Sequence, residues 1–207
     1  KRPYFYGLFT QSTHSPYDMP VDPFPGYDND GYVTSMHYAD DHLGKFIEGV
    51  RELPDFENTV VIFISDHGRA NIFNQNTYDK KYFHIPLLIW GGGLKSEYAG
   101  QTIDRVGSQA DLAKTLLNQL DIDSDAFHWS KDLLDPTTKS WAVCTSTLSY
   151  GWLDADGYTV YHMIDDRLIQ SPYDGLSADM NPNAKIDLAL KKCRAVLESM
   201  YREFVEL

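Results

Sequence analysis

Three runs of apolar residues lack the polar alternation of a half-exposed strand. Residues 59–65 (TVVIFIS) are β-branched and continuous, the pattern of a strand buried on both faces of a parallel sheet. Residues 85–90 (IPLLIW) form a second such run, with Pro86 tolerable at a strand start and Gly91-Gly92-Gly93 closing it in a loop. Residues 4–10 (YFYGLFT) form a third, predicting a short buried strand near the start of the chain. Between them the period changes. Residues 32–53 place Met36, Leu43, Phe46, Ile47 and Val50 at spacings of 3 to 4, which predicts a helix with one buried face, ended by Pro54. Ser108 and Asp111 resemble a capping box ahead of Leu112, Leu116 and Leu120, predicting a helix over 109–120. Strands alternating with helices are the α/β signature, so the expected architecture is a mostly parallel sheet flanked by helices.

After Asp135-Pro136 the pattern shifts again. Residues 141–148, 158–163 and 167–170, separated by Asp156-Gly157 and Asp165-Asp166, read as an antiparallel meander. Residues 184–207 carry Ile186, Leu190, Cys193, Leu197, Met200 and Phe204 on one stripe, the mark of a helix docked by one face. The expected organisation is therefore a larger α/β part over 1–136 and a small antiparallel-sheet-plus-helix subdomain over 137–207. Residues 11–31 hold Pro16, Pro20, Pro23, Pro25 and Gly26, a density that forbids regular structure in a loop long enough to be functional.

Composition narrows the function classes. The 207 residues carry 18 Lys and Arg against 30 Asp and Glu, a net charge of −12, which argues against nucleic-acid binding. No apolar stretch approaches the roughly 20 residues of a membrane-spanning helix. Cys144 and Cys193 admit one disulfide at most and have no metal-type spacing. The chain begins Lys1-Arg2-Pro3, without an initiator Met, and reads almost at once as a strand; we expect it to be an excerpt of a longer chain.

The sharpest chemical signal is Ser65-Asp66-His67-Gly68 directly after the strand at 59–64, because ligands in open α/β sheets collect beyond the carboxyl ends of strands. Asp66 and His67 can turn a mixed oxygen and nitrogen pair toward one cation, a donor set suited to zinc or manganese. The same pair also suits a cap and a satisfied turn histidine. His14, in TQSTHSP just past the first strand, is either an anion-binding imidazole or a solvated loop histidine. Lys80, Lys81 and His84 precede a strand, the unfavourable end for a site. His37 and His42, at i and i+5, lie on different helix faces and cannot share a helical site. Asp40 and Asp41 read as helix-surface charge, and His128 and His162 have no partner close in sequence. Glycine-rich phosphate loop, G-x-S-x-G and H-E-x-x-H motifs are all absent.

Taken in order, FYGLFTQSTHSPY, YADDHLGKFIEGV, NTVVIFISDHG, HIPLLIWGGGL, SQADLAKTLLNQLDI and WSKDLL resemble the carboxyl-terminal half of the sulfatase and alkaline phosphatase superfamily, nearest its lipoteichoic acid synthase-like, phosphoglycerol transferase branch. The resemblance spans 4–134 and is loose over 141–207. It implies a partial alkaline phosphatase-like fold and a metal-dependent hydrolase or transferase acting on phosphate or sulfate esters. Asp66 and His67 match the later metal-ligand pair, and His14 matches a histidine that contacts the phosphate or glycerol group. The nucleophile and the first acidic ligand belong to an upstream block that these 207 residues do not contain, so the isolated chain is expected to be inactive. No C-x-P-x-R motif is present. His67, where many sulfatases carry Asn, tilts the metal toward Mn or Zn, with Ca or Mg admitted, and the chemistry toward phosphate esters. A sulfuric ester hydrolase and a non-catalytic binding domain are the rival readings. The resemblance further implies an extracytoplasmic home, with membrane anchoring through upstream helices. An apolar face left bare by a missing half would favour self-association.

Overall fold

The computed structural model describes residues 2–20, 31–68, 78–165, 167–170 and 182–206. Pro23, Pro25 and Gly26 of the proline-rich stretch, and Asp166 of the second turn dipeptide, lie outside them. Packing divides the chain into two compact units, Lys1–Val61 with Ile89–Glu97, and Ile62–Leu88 with Tyr98–Leu207. Strands β1 (Val61–Ile64) and β2 (Leu87–Trp90) arise from the two continuous apolar runs and pair in a two-stranded sheet.

The first unit is built on helix α1 (Gly31–Arg51). Thr34, Ser35 and Val50 are its buried residues, and the Ser35 hydroxyl donates to the Tyr32 carbonyl at 2.8 Å. Met36, Leu43 and Phe46, expected on the buried face, remain well exposed. Residues 4–10 form no strand and are exposed, with Phe5 and Tyr6 each at 84%. Periodicity and β propensity identify which face or run is apolar; burial needs a second layer, and a strand needs a hydrogen-bonded neighbour. The triglycine loop is explained by close approach. Gly91 has φ of 136°, and a Cβ there would stand 2.2 Å from the Thr59 carbonyl oxygen; one on Gly92 would stand 2.6 Å from that of Phe56.

The second unit centres on an antiparallel sheet in the order β3 (Trp141–Thr145), β4 (Ser149–Asp154), β5 (Gly157–His162), β6 (Arg167–Gln170). This is the expected meander, with one strand more. The β4 run SYGWLD offers few aliphatic residues and contains Gly151, so propensity passes over it; a Cβ at Gly151 would meet the Tyr158 ring at 2.8 Å. Of the sheet expected over 1–136, the described residues form the β1–β2 pair, since 4–10 contributes no strand; the antiparallel sheet is the one expected over 137–207.

Strand alternation sorts the sheet's side chains between two apolar clusters. Tyr150 and Trp152, with Trp141 and Val143, pack against Ala189, Cys193, Leu190 and Leu197 of helix α4 (Pro182–Glu206). Cys144, Tyr158 and Val160 form the second cluster with Tyr78 and Phe83. Burying each large apolar side chain contributes roughly 1.5–3 kcal/mol. The α4 stripe is buried only through Leu197; Met200 and Phe204 are exposed, contrary to the helical pattern. Beyond Leu197 a polar tie continues. Glu203 accepts hydrogen bonds from Trp129 Nε1 at 2.5 Å and His128 Nε2 at 3.1 Å, a long-range partner for His128 that no local pattern revealed. These bonds hold the Glu203 carboxyl below its ordinary range.

Cys144 and Cys193 are free, buried thiols in the two different clusters. Burial pushes them up from 9.0 to about 11 and about 12. Both are therefore expected to react with a thiol-specific disulfide reagent at pH 8 only as fast as the protein unfolds, which a stopped-flow time course checks. Because the unfolded thiols ionise first, this contribution to stability is complete below pH 9 and declines as pH rises toward 11.

Candidate metal and ester site

The loop Ser65–Gly68 leaves the end of β1 and folds back on itself. The Ser65 hydroxyl donates to the His67 carbonyl at 2.9 Å, and the His67 N–H donates to Asp66 Oδ1 at 2.9 Å. His67 Nδ1 lies 2.8 Å from the Gly68 carbonyl oxygen; a carbonyl only accepts, so Nδ1 carries the proton and Nε2 keeps its lone pair. Asp66 Oδ2 faces that Nε2 at 3.6 Å, with the two side chains 67% (His67) and 56% (Asp66) exposed. One donor atom of each residue is thus held by the protein, while the other two stand side by side.

Two further elements of the same unit shape this loop. Gly68 passes so close to α2 (Lys80–Phe83) that a Cβ on it would stand 1.7 Å from the Tyr82 carbonyl oxygen. Gln109, two residues ahead of helix α3 (Asp111–Gln119), donates from Nε2 to the carbonyls of Ser65 at 3.1 Å and Asp66 at 2.5 Å. The helical pattern puts Gln109 inside a helix, and a separation of 43 or more residues leaves no local signal of its partners. The capping box is half realised. Asp111 Oδ2 accepts from the Ser108 N–H at 2.8 Å, but the Ser108 hydroxyl points to the same carboxylate at 3.5 Å, and the helix starts two residues later than the pattern suggests.

Asp111 is fully buried. Its Oδ1 accepts from both the Lys131 N–H and the Lys131 ammonium at 2.8 Å, and that ammonium also sits 3.8 Å from the Trp141 ring centre. Thr115 extends the tie, donating to the Asp111 carbonyl at 2.7 Å and accepting from the Leu133 N–H at 2.8 Å. The lead-in that carries Gln109 is therefore anchored at its base.

His14 belongs to the first unit. It lies exposed in a turn closed by the His14 N–H to Gln11 carbonyl bond at 2.9 Å and the Tyr17 N–H to His14 carbonyl bond at 2.7 Å. Its Nδ1 is 2.7 Å from the Ser15 carbonyl oxygen, which again assigns the proton to Nδ1 and leaves Nε2 outward. A cis Ser15–Pro16 bond and Tyr17 at φ 68° complete the turn, and the Tyr17 ring packs edge-on to Tyr32 at 5.6 Å. His84 is exposed, and His42 Nδ1 bonds the Tyr38 carbonyl at 2.8 Å. Among the described residues no cluster of three or more His, Cys, Asp or Glu side chains is arranged to hold a metal, so Asp66 and His67 stand as a pair.

The pair nonetheless fits a divalent cation: a 3.6 Å separation is within what two ligands, each about 2.1 Å from one ion, span. A second-atom hydrogen bond that orients a ligating imidazole is the usual accompaniment of metal binding by histidine.

In fold the chain resembles the alkaline phosphatase superfamily. A crystal structure of a protein in that superfamily from Vibrio parahaemolyticus matches 93% of this chain and 49% of its own, with a TM-score of 0.64 and 25% identity. The family is narrower: the Sulfatase family model matches residues 1–122, and the chain belongs to the sulfatase family. Arylsulfatase K of Canis lupus familiaris is 36% identical over 95 residues, 42% of this chain and 17% of that protein. The lipoteichoic acid synthase-like protein YvgJ of Bacillus subtilis is 24% identical over 163 residues, 69% of this chain and 26% of that protein. The chain thus spans about a quarter or less of the curated relatives' length and about half of the solved structure.

Proposed function

We propose that this chain contributes the Asp66–His67 half of a metal site, and the His14 rim, to an enzyme that hydrolyses or transfers phosphate or sulfate esters. The observation that carries the reading is the pairing of Asp66 Oδ2 and His67 Nε2 at 3.6 Å with their companion atoms already engaged. When bound, a divalent ion, Mn or Zn in preference to Ca or Mg, lowers the pKa of a hydroxyl nucleophile and offsets charge on the tetrahedral centre. Asp66 supplies the anionic ligand and His67 the neutral one. His14 is the side chain assigned to a non-bridging or departing ester oxygen. The nucleophile is a hydroxyl or modified cysteine from outside these residues, and water or an acceptor alcohol completes the turnover.

Phosphoglycerol-type transfer is favoured by His67 as ligand and by the extent of the match to the lipoteichoic acid synthase-like protein. The identity to arylsulfatase K favours sulfate ester hydrolysis as the second reading. By analogy with the lipoteichoic acid synthase-like branch, the full-length protein is assigned an extracytoplasmic home. Among the described residues no helix is long and apolar enough to cross a membrane.

Asp66→Ala in the full-length protein is expected to remove both metal retention, read by elemental analysis, and turnover. Unchanged metal content and activity in that variant would overturn the metal reading. Comparing a glycerol phosphodiester with an aryl sulfate as substrates separates the two ester classes.

A further inference from the structure

We propose that Gln109 is a positioning residue for the Asp66–His67 loop, acting on backbone carbonyls and never touching the ion or the substrate. The inference rests on the metal reading given above and extends it to a residue 43 positions away. Gln109 is an exposed side chain, yet its single amide nitrogen reaches two successive carbonyls, Ser65 at 3.1 Å and Asp66 at 2.5 Å. An amide NH2 has two hydrogens, so both donors are engaged on the loop that aims the metal pair.

An exposed hydrogen bond of this kind adds little to stability, because water replaces it at small net cost. Its consequence is geometric. The two carbonyls flank Asp66 on the chain, so holding them fixes the peptide plane from which the Asp66 side chain leaves. The same loop also passes close to the Tyr82 carbonyl at Gly68. Gln109 itself does not drift, since Asp111, two residues on, is locked by the Ser108 and Lys131 backbone N–H groups and by the Lys131 ammonium. Helix α3 thus acts as a rigid post, with Gln109 the bracket that joins it to the site.

Gln109→Met and Gln109→Glu in the full-length protein test this. Methionine keeps the length and volume without a donor, and glutamate keeps the shape but turns two donors into acceptors that repel the carbonyls. Both variants are expected to retain the wild-type melting temperature within about 2 °C, to weaken Mn2+ affinity by about tenfold or more in calorimetry, and to speed hydrogen exchange at the His67 amide by about tenfold in metal-free protein. A space-filling role predicts that Gln109→Met behaves as wild type, and that result would overturn the proposal. Wild-type protein that takes up no Mn2+ overturns the metal reading instead, and the exchange rate in metal-free protein then decides on Gln109 alone.

Discussion

Asp111→Ala is expected to lower the stability of the second unit by about 3–5 kcal/mol, the loss typical when one partner of a buried ion pair is removed. The carboxylate is 0% exposed and its Lys131 partner 10%. Truncation strands the ammonium against the Trp141 ring and leaves the Ser108 and Lys131 backbone N–H groups without their acceptor. These stranded donors predict the outcome of a second change. Lys131→Met in the Asp111→Ala background removes the orphaned charge but not the two orphaned amides, so only part of the stability should return. Urea denaturation of the two variants checks both statements; a single variant within 1 kcal/mol of wild type would show that the pair is dispensable.

Gly68→Ala is expected to cost about 3 kcal/mol and to abolish divalent-cation uptake. The added Cβ would stand 1.7 Å from the Tyr82 carbonyl oxygen and 2.8 Å from its carbon, and backbone cannot rotate aside as a flexible side chain can. Either α2 or the loop must retreat by more than an ångström. The loop is the one that carries Asp66 and His67, so stability and metal uptake should fall together. A wild-type urea midpoint with wild-type Mn2+ uptake would show that the loop does not pass Tyr82 so closely.

The chemistry-bearing loop was legible because a strand-to-loop transition is local. A β-branched run followed by Ser-Asp-His-Gly marks both the strand end and the polar pair beyond it, and β1 ends at Ile64 as read. Helices α1, α3 and α4 were legible for the same reason, since a 3.6-residue period is written in consecutive residues. The supports of the site were not. Gln109, the Tyr82 carbonyl and Lys131 act across 14 to 44 positions, and nothing in their own neighbourhoods distinguishes a bracket, a close backbone approach or a buried ammonium from ordinary surface residues.

Burial separates the two kinds of knowledge most clearly. Residues 4–10 and the Met36, Leu43 and Phe46 stripe have sequences fit for a core and are exposed, whereas Cys193, one member of a similar stripe on α4, is fully buried. The difference lies in what packs on each face. By itself the sequence determined the apolar runs, most helices, the meander and the adjacency of Asp66 to His67, because each follows from covalent spacing. Only the tertiary structure decided which faces are covered and that Gln109 grips the loop, because each depends on contacts between groups the chain order keeps apart.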